Sequence, residues 1–229
     1  MALESLAAAS WAKLFELRDM RKTFTDLFPM FLKLAGRPCL VVGAGNSAES
    51  KIESLVRAGA RVRVVAPEAT PKIRAWARGR KVAWQRRGFM PKDLERMFLV
   101  IAATPSTELH ERIFRLARRI GVLCNIVDVP RLCDFYYPAV VRRGALQIAI
   151  STAGRSPALA QRLRKELERQ FGPEYEHWLT HIGKIRQKMQ GGRLGAEERK
   201  RLLHEMVSKK GFQQYRKRTQ SRYSSRLKG

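Results

Sequence analysis

The chain has 229 residues, 45% of them hydrophobic, and a formal net charge of +26 from 46 Lys and Arg against 20 Asp and Glu. This length and composition support one hydrophobic core of ordinary size with a smaller appended domain, and they exclude a chain that is mainly disordered. No apolar run approaches the roughly 20 residues that a membrane-spanning helix needs, so we expect no membrane segment.

Two features indicate a cytoplasmic protein. Residues 1–24 are amphipathic, which predicts a helical extension, but they lack the basic and then apolar layout of a signal peptide. The three cysteines, Cys39, Cys124 and Cys133, are an odd number, and two of them lie in apolar runs. We therefore expect buried, reduced thiols.

A glycine-rich turn follows the first apolar run. Residues 38–42 predict a buried strand, residues 48–58 a helix and residues 61–66 a second strand. Gly43 would let the strand turn sharply, and Gly45 would let the backbone approach a phosphate. A strand, glycine turn, helix and strand within about 30 residues is the unit that binds a pyrophosphate at a helix N-terminus. The Gly-x-Gly-x-x-Ala pattern alone is equally compatible with an ordinary strand-to-helix turn.

The elements that follow alternate between helices and apolar strands. In chain order they are a helix over residues 70–78, a strand over 82–85, a helical turn over 91–97, a strand over 98–103, a helix over 107–120 and a strand over 122–127. Continuous apolar strands that alternate with helices predict a parallel sheet covered on both faces. We therefore predict an α/β fold with a Rossmann-type domain over residues 25–134.

The pattern changes at residue 135. Residues 135–141 and 145–150 predict the strands of an antiparallel hairpin whose turn is residues 142–144. Ser156 as N-cap, followed by a proline, predicts the start of a helix. Residues 135–172 are therefore expected to form a hairpin plus a helix.

Beyond residue 172 the chain is helical and basic. Helices over residues 174–190 and 196–209, separated by two glycines, predict a small helical domain over residues 173–212. Residues 213–229 contain basic residues and no acidic residue, which predicts a disordered basic tail.

Asp128 is the candidate catalytic residue. It follows the strand over residues 122–127, at the carboxyl edge where open α/β sheets bind their ligands. A carboxylate at this position is equally able to cap a turn. The residues themselves leave both roles open.

Five segments together resemble the siroheme synthase N-terminal family, which includes precorrin-2 dehydrogenases, some of them also sirohydrochlorin ferrochelatases. The segments occur in the family's order and spacing within residues 25–190, and they are residues 27–34, 43–51, 102–104, 124–128 and 151–160. The chain departs from the Ser-Ser-Gly-Gly turn of some relatives, because it has Thr152 followed by Ala153.

The resemblance implies NAD-dependent oxidation of precorrin-2 to sirohydrochlorin and, in bifunctional members, insertion of Fe²⁺ to give siroheme. It also implies a homodimer with residues 135–172 as the dimerisation segment, and a helical domain that closes over the substrate. Asp128 matches the family's essential aspartate. The cofactor contacts that the glycine turn and the resemblance imply are Gly43, Gly45, Asn46, Ser47, Pro67, Glu68 and Thr104.

Precorrin-2 carries eight carboxylates, so a basic cleft would raise its local concentration and explain much of the net charge without nucleic acid. Arginines suit this substrate because a guanidinium binds a carboxylate through two hydrogen bonds, although solvated arginines are the simpler interpretation. The predicted substrate contacts are Asn125, Arg142, Arg143, Thr152, Arg155 and Ser156.

We expect no resident metal, because no Cys or His cluster has zinc-site spacing. His177 and His181 lie four residues apart on a predicted helix and are better explained as surface or packing histidines.

The alternative from another class is a nucleic-acid-binding protein on a degenerate Rossmann scaffold. It predicts an affinity that falls steeply with salt and survives loss of the glycine turn. The chain has no recognition-helix or aromatic RNA motif to support it. A dehydrogenase without chelatase activity is not separable from a bifunctional enzyme by sequence.

Overall fold

A computed structural model of the protein describes residues 27–190, 192 and 195–226. The extension predicted over residues 1–24 lies outside the described residues. The chain divides into two units, residues 1–33 and residues 34–229. The described part of the first unit contains neither helix nor strand. The domain boundaries predicted inside the second unit, at residues 134 and 172, stay predictions.

The second unit begins with a five-stranded parallel sheet. Its strands are β1 (Pro38–Val42), β2 (Arg61–Val65), β3 (Ala83–Gln85), β4 (Leu99–Ala102) and β5 (Leu123–Ile126). They lie in the order β3-β2-β1-β4-β5, and every neighbouring pair is parallel. The helices between them are α1 (Asn46–Arg57), α2 (Pro71–Arg78) and α3 (Thr107–Arg119). This is the predicted Rossmann-type α/β fold.

Burial on both faces of the sheet explains the continuous apolar strands. Alternate residues of β1 enter different cores: Cys39 and Val41 pack with Ile52 of α1, and Leu40 and Val42 lie in the core that contains Ile113 of α3. These four residues of β1 are at most 2% exposed. Since side chains of a strand alternate between faces, helices on both sides are required to bury them.

The strands and helices of this sheet end within one or two residues of their predicted positions. The exception is the helical turn over residues 91–97, which is a 3₁₀ turn, Pro91–Leu94. It stops early because the backbone of Glu95 is extended, with φ −59° and ψ 129°. A second 3₁₀ turn, Pro130–Leu132, follows β5.

The hairpin is shorter and differently placed than predicted. Its strands are β6 (Ala139–Arg143) and β7 (Leu146–Ile150), and Arg143 pairs with Leu146. The turn is therefore the two residues Gly144 and Ala145, so the prediction of a turn over residues 142–144 was wrong. Gly144 has φ +57°, which a two-residue turn with the twist of a hairpin requires.

Four further helices follow in the described part of the chain: α4 (Pro157–Gln170), α5 (Glu174–Gln190), α6 (Ala196–Met206) and α7 (Lys209–Arg226). Ser156 is the N-cap of α4, as predicted, and its Oγ accepts from the Leu159 amide at 3.2 Å. No helix in the described ranges is long and apolar enough to cross a membrane.

Helix α7 contradicts the prediction of disorder from residue 213. The Phe212 ring lies 4.5 Å from Trp178 and 4.6 Å from Tyr175, between ring centroids, and Tyr215 lies 5.3 Å from His181. Aromatic packing on α5 therefore orders a segment whose charge alone indicated a solvated tail. Residues 227–229 lie outside the described part of the chain.

Candidate active site

The turn after β1 requires glycine at position 43. Gly43 has φ +100°, a left-handed value that favours glycine. A Cβ on this residue would meet the carbonyl oxygen of Ala103 and lie 2.8 Å from its carbonyl carbon, in the backbone that leaves β4. The Gly43 amide donates to Val65 O at 3.0 Å. The predicted sharp turn is confirmed, and it holds the ends of three strands together.

Gly45 and the first turn of α1 face open space. Gly45 is the N-cap of α1, with an ordinary φ of −83° and no side-chain cap. No atom lies within 4 Å of where its Cβ would stand. Ala48 is fully buried, so α1 packs closely on the sheet. Because the first amides of a helix have no partner inside it and this end of the helix dipole is positive, the turn suits an anion.

The glycine turn opens into a cleft of about 740 Å³ at the carboxyl ends of β1, β2 and β4. Asn46 begins α1 beside the cleft but does not line it. The strand order reverses between β1 and β4, and open parallel sheets bind dinucleotides at such a point. The tertiary structure thus gathers six of the seven predicted cofactor contacts around one cavity: Gly43, Gly45, Ser47, Pro67, Glu68 and Thr104.

A buried histidine holds one wall of this cleft. His110 of α3 is 7% exposed, and its Nε2 lies 2.8 Å from the backbone oxygen of Thr104, to which the imidazole donates. Among the described residues, Thr104 Oγ1 is a buried side-chain oxygen without a hydrogen-bond partner. Sequence reasoning missed His110, although its spacing from Ile113 and Ala117 places it on the buried face of α3.

The residues around the cleft fit a dinucleotide. The turn leaves room for a pyrophosphate at Gly45, and the walls include the apolar residues Val42, Val65 and Phe89. Glu68, after β2, supplies a carboxylate of the kind that binds ribose hydroxyls. No Lys or Arg is among the lining residues, so backbone amides would carry the binding of the phosphates.

Asp128 lies just beyond the carboxyl end of β5, the strand next to β4. It is exposed and has φ +63°, a left-handed value that Asp adopts more readily than most residues. The Val129 amide donates to Ile126 O at 3.2 Å and closes the turn, and the Val127 amide donates to Ala102 O at 2.9 Å. Asp128 is outside the lining of the cleft, on the same carboxyl edge of the sheet.

Asn125 serves the protein's own backbone. It is 7% exposed, and its Nδ2 donates to Phe135 O at 2.7 Å and to Cys133 Sγ at 3.4 Å. The carboxylate of Asp134 accepts from the Cys124 amide at 2.9 Å. These bonds hold the segment that leads to the hairpin against β5, which explains why Phe135 is not part of β6.

The two predicted hairpin arginines differ in what their side chains do. Arg143 donates to Phe171 O at 2.7 Å from Nε and to Glu168 O at 2.8 Å from Nη2, so it caps the C-terminus of α4. Its third contact is Arg142 O at 2.8 Å. Arg142 itself is exposed. The capping role of Arg143 had no signal in the sequence, because its partners are more than 20 residues away.

The remaining predicted substrate contacts lie in the turn before α4. Thr152 Oγ1 accepts from the Ser156 amide at 3.2 Å, and Thr152 O accepts from the Arg155 amide at 2.9 Å. Ala153 and Gly154 have φ +50° and +79°, so the turn contains two left-handed residues. Thr152 and Ser156 therefore shape the helix start, and Arg155 is exposed.

Tyr136 connects this turn to the turn of Asp128, a link that sequence reasoning missed. Its hydroxyl donates to Pro130 O at 3.4 Å. Its Cε1 lies 3.9 Å from where a Cβ of Gly154 would stand. The structure thus brings the predicted catalytic and substrate-binding segments around one tyrosine.

The cysteines are not equipped for nucleophilic chemistry. All three are free, and Cys39 and Cys124 are fully buried. Burial raises the pKa of Cys39 to about 11 and, with the nearby charge of Asp134, raises the pKa of Cys124 to about 12. Both are therefore neutral thiols at physiological pH.

The parallel sheet, its strand order and the glycine turn at the cleft define a Rossmann-type dinucleotide-binding protein. A family model for NAD(P)-binding proteins matches residues 30–139. A second model, for the central region of sirohaem biosynthesis proteins, matches residues 143–170. The chain belongs to the family of siroheme synthases and precorrin-2 dehydrogenases, as the sequence motifs predicted.

Individual relatives agree with this placement. Siroheme synthase of Nitrosococcus oceani is 42% identical over 140 residues, which are 61% of this chain and 30% of that protein. Siroheme synthase of a Neisseria meningitidis serogroup C strain is 38% identical over 176 residues, which are 77% of this chain and 36% of that protein. The chain thus spans about a third of the length of these relatives.

A solved structure matches over a larger share of its length. The structure of SirC, precorrin-2 dehydrogenase, superposes with a TM-score of 0.69 at 25% sequence identity. The match covers 81% of this chain and 92% of SirC. The likeness therefore extends beyond the parallel sheet into the hairpin and helices that follow it.

Proposed function

We propose that this chain oxidises precorrin-2 to sirohydrochlorin with NAD as the hydride acceptor. The observation that carries the proposal is the glycine turn at the switch point of the sheet. It occurs in a chain whose structure superposes on 92% of the length of SirC, precorrin-2 dehydrogenase. The curated relatives named siroheme synthase support the same pathway step.

The cofactor side of the reaction uses the cleft. Gly43 and Gly45 would place the first amides of α1 against the pyrophosphate, and Glu68 would accept hydrogen bonds from a ribose. His110 fixes the backbone of Thr104 at the wall of the cleft, because its Nε2 lies 2.8 Å from Thr104 O. NAD, when bound, accepts the hydride that leaves a ring carbon of the substrate.

Asp128 is proposed to take the proton. Dehydrogenation removes one hydride and one proton from the macrocycle, so a base is needed on the substrate side of the cofactor. Asp128 is exposed at the tip of the neighbouring strand, where a bound substrate can reach its carboxylate. Asp128 itself adopts the left-handed conformation of the turn after β5, with φ +63°, so the carboxylate is carried on the turn.

The substrate's carboxylates are proposed to meet the exposed guanidinium groups of Arg142 and Arg155. Asn125 and Arg143 would contribute indirectly, since their donors hold Phe135 O and the end of α4. Thr152 and Ser156 would shape the turn that carries Arg155.

The test is an anaerobic assay of NADH formation from precorrin-2 and NAD. We expect Asp128→Asn to lower kcat by about 10²-fold or more, with little change in the KM for NAD, because a general base typically contributes 10²–10⁴-fold. Glu197→Gln, an exposed carboxylate on α6, is the matched control. No NADH from the wild-type chain would refute the proposed reaction; near-normal kcat in Asp128→Asn would remove only the role of this residue.

Metal insertion is a separate part of the proposal. The described residues contain no group of three His, Cys, Asp or Glu side chains placed to hold a metal ion. If Fe²⁺ is a substrate, we propose that Asp128 receives protons from the pyrrole nitrogens. Sirohydrochlorin supplied with Fe²⁺ or Co²⁺ tests this; no siroheme or cobalt product would limit the chain to dehydrogenation.

We further propose that the enzyme is a cytoplasmic homodimer. Free cysteines support a reducing compartment. The hairpin supports the dimer, because only Val141 of its ten strand residues is fully buried within one chain. Light scattering coupled to size-exclusion chromatography measures the mass; a monomer at micromolar concentration would contradict the dimer.

A further inference from the structure

One face of the sheet is left open at its amino-terminal edge. Arg61 and Arg63 lie two residues apart on β2 and so share a face, which Arg63 also shares with its register partners Leu40 and Ala83. Leu40 is buried in the core under α3, whereas Ala83 is exposed. Helices therefore cover this face over β1 but not over the first half of β2 and β3. A parallel sheet normally carries apolar residues at such positions.

The open face is the floor of two adjoining clefts of about 610 and 510 Å³. They share Arg63 and Glu95, and neither has a lining residue in common with the dinucleotide cleft. Arg61 stands four residues before Val65, about 13 Å along the strand. A dinucleotide at the carboxyl edge would therefore leave the larger cleft open, whereas the smaller cleft reaches Gln85 and Arg87 at the carboxyl end of β3, next to Gly88 of the dinucleotide cleft.

Cations dominate this surface, which we call the amino-edge basic cleft. Its lining contains eight Lys and Arg residues against two acids, Asp93 and Glu95. Asp93 is already engaged, since its carboxylate binds Arg87 at 2.6 and 2.8 Å. Within the described residues, the seven other cations have no carboxylate within ion-pair distance.

Two of these cations occupy backbone positions that suit glycine. Arg80 has φ +55° and Arg96 has φ +58°. Arg80 lies two residues beyond the last residue of α2, where its amide donates to Ala77 O at 3.0 Å and the next amide donates to Trp76 O at 2.9 Å. Helices usually place glycine at this left-handed position, and here Gly79 precedes it instead. Two cationic residues of one cleft therefore adopt a backbone conformation that glycine would adopt at lower cost, and such outliers cluster at functional sites.

We propose that the amino-edge basic cleft binds a multiply charged phosphate ligand. Six of the eight cations are arginines, whose planar guanidinium pairs with phosphate through two hydrogen bonds. Phosphate groups place more negative charge in a small volume than carboxylates do, which matches the excess of cations. This chemistry is shared by free polyphosphate compounds and by the backbone of a nucleic acid.

The shape favours binding without readout of bases. Trp84 of β3 is partly buried, and its indole Nε1 donates to Ala66 O at 3.0 Å, so it is not presented as a stacking surface. The described lining residues include no aromatic side chain, and the groups that would attract an anion are the guanidinium and ammonium groups. Because the amino-edge basic cleft shares no lining residue with the dinucleotide cleft, binding of a ligand there does not depend on the dehydrogenase reaction.

The test compares two probes: inorganic tripolyphosphate, followed by calorimetry, and a fluorescent single-stranded oligonucleotide, followed by anisotropy over a range of salt concentrations. The variant is Arg80→Gly/Arg96→Gly, which removes two charges and relieves both left-handed positions. Whichever of the two probes the wild type binds, we expect this variant to bind it at least about tenfold more weakly, while the Tm of the variant stays equal or rises. For the oligonucleotide, the slope of log K against log salt should fall by about 1.4.

Arg112→Gln/Arg115→Gln is the matched control, because it removes two exposed charges from α3, away from the cleft. Tight binding of tripolyphosphate that the cleft variant loses would identify a free polyphosphate compound. Binding of the oligonucleotide alone, with the same loss, would identify nucleic acid. Equal losses in cleft and control variants, or no binding tighter than on the order of 1 mM at about 150 mM salt, would overturn the proposal.

Discussion

The two edges of the parallel sheet use opposite means of presenting a binding surface. At the carboxyl edge the dinucleotide cleft has no cationic lining residue, and it depends on glycines, backbone amides and one histidine that fixes a carbonyl. At the amino edge the clefts are lined by eight Lys and Arg residues around an incompletely covered sheet face. The net charge of +26 therefore does not mark the cofactor site. Only the geometry of the turn marks it.

The largest expected effect is at Gly43. Gly43→Ala places a methyl group against the backbone of Ala103 at a left-handed φ, so neither side-chain movement nor rotation relieves the contact. We expect a loss of at least about 3 kcal/mol in the free energy of unfolding, or no soluble protein. Urea denaturation measures it; a loss below about 1 kcal/mol would contradict the structural role of this glycine.

The next effect concerns the Arg87–Asp93 ion pair, which lines the smaller of the two basic clefts. Burial alone would raise the pKa of Asp93, but hydrogen bonds from Arg87 and the Met90 amide, with the charge of Arg87, outweigh it and lower the pKa. The stabilisation is therefore complete above the unfolded pKa near 3.9 and is lost as pH falls through the folded pKa.

We expect Asp93→Asn to lower the free energy of unfolding by about 1 to 2 kcal/mol at pH 7, because the variant weakens hydrogen bonds to a buried charged group while water still reaches the partly exposed Arg87 guanidinium. Urea titrations at pH 7 and below pH 4 measure the free energy of unfolding of the wild type and the variant. The difference between the two free energies should be smaller at the lower pH. An unchanged difference would show that the Arg87–Asp93 pair does not cause the loss of stability.

A smaller and more selective effect is expected at Gly45. Its φ is ordinary and no atom lies near its Cβ position, so Gly45→Ala should change stability by less than about 1 kcal/mol. The methyl group would nevertheless stand where the pyrophosphate approaches, and we expect NAD to bind about tenfold more weakly. Calorimetry with NAD gives the affinity. Unchanged affinity would remove Gly45 from the cofactor site, and Gly45→Asp should bind more weakly still.

The smallest effect is a gain. Arg80→Gly should raise the free energy of unfolding by up to about 1 kcal/mol, because the left-handed penalty disappears while the glycine increases the entropy of the unfolded chain. Thermal denaturation of the single variant measures it. A fall in Tm would mean that the Arg80 side chain stabilises the fold.

Local sequence patterns predict the elements of the sheet, and together with the family resemblance they predict residues at the dinucleotide cleft. Alternation of apolar runs and helical periods predicts the parallel sheet, and the glycine turn together with the family resemblance predicts Gly43, Gly45, Glu68 and Thr104 as cofactor contacts. These features depend on side-chain periodicity, turn chemistry and helix caps, which act within a few residues. Ser156, whose hydroxyl caps α4, is predictable for the same reason.

The roles of several polar side chains depend instead on contacts between distant parts of the chain. Arg143 caps α4 across 28 residues, and Asn125 binds Phe135 O across 10. Helix α7 is ordered by rings on α5, and the arginines of β2 lie where no helix covers the sheet. A charge or an amide takes whichever partner the fold brings to it, and sequence patterns specify elements better than they specify how those elements stack.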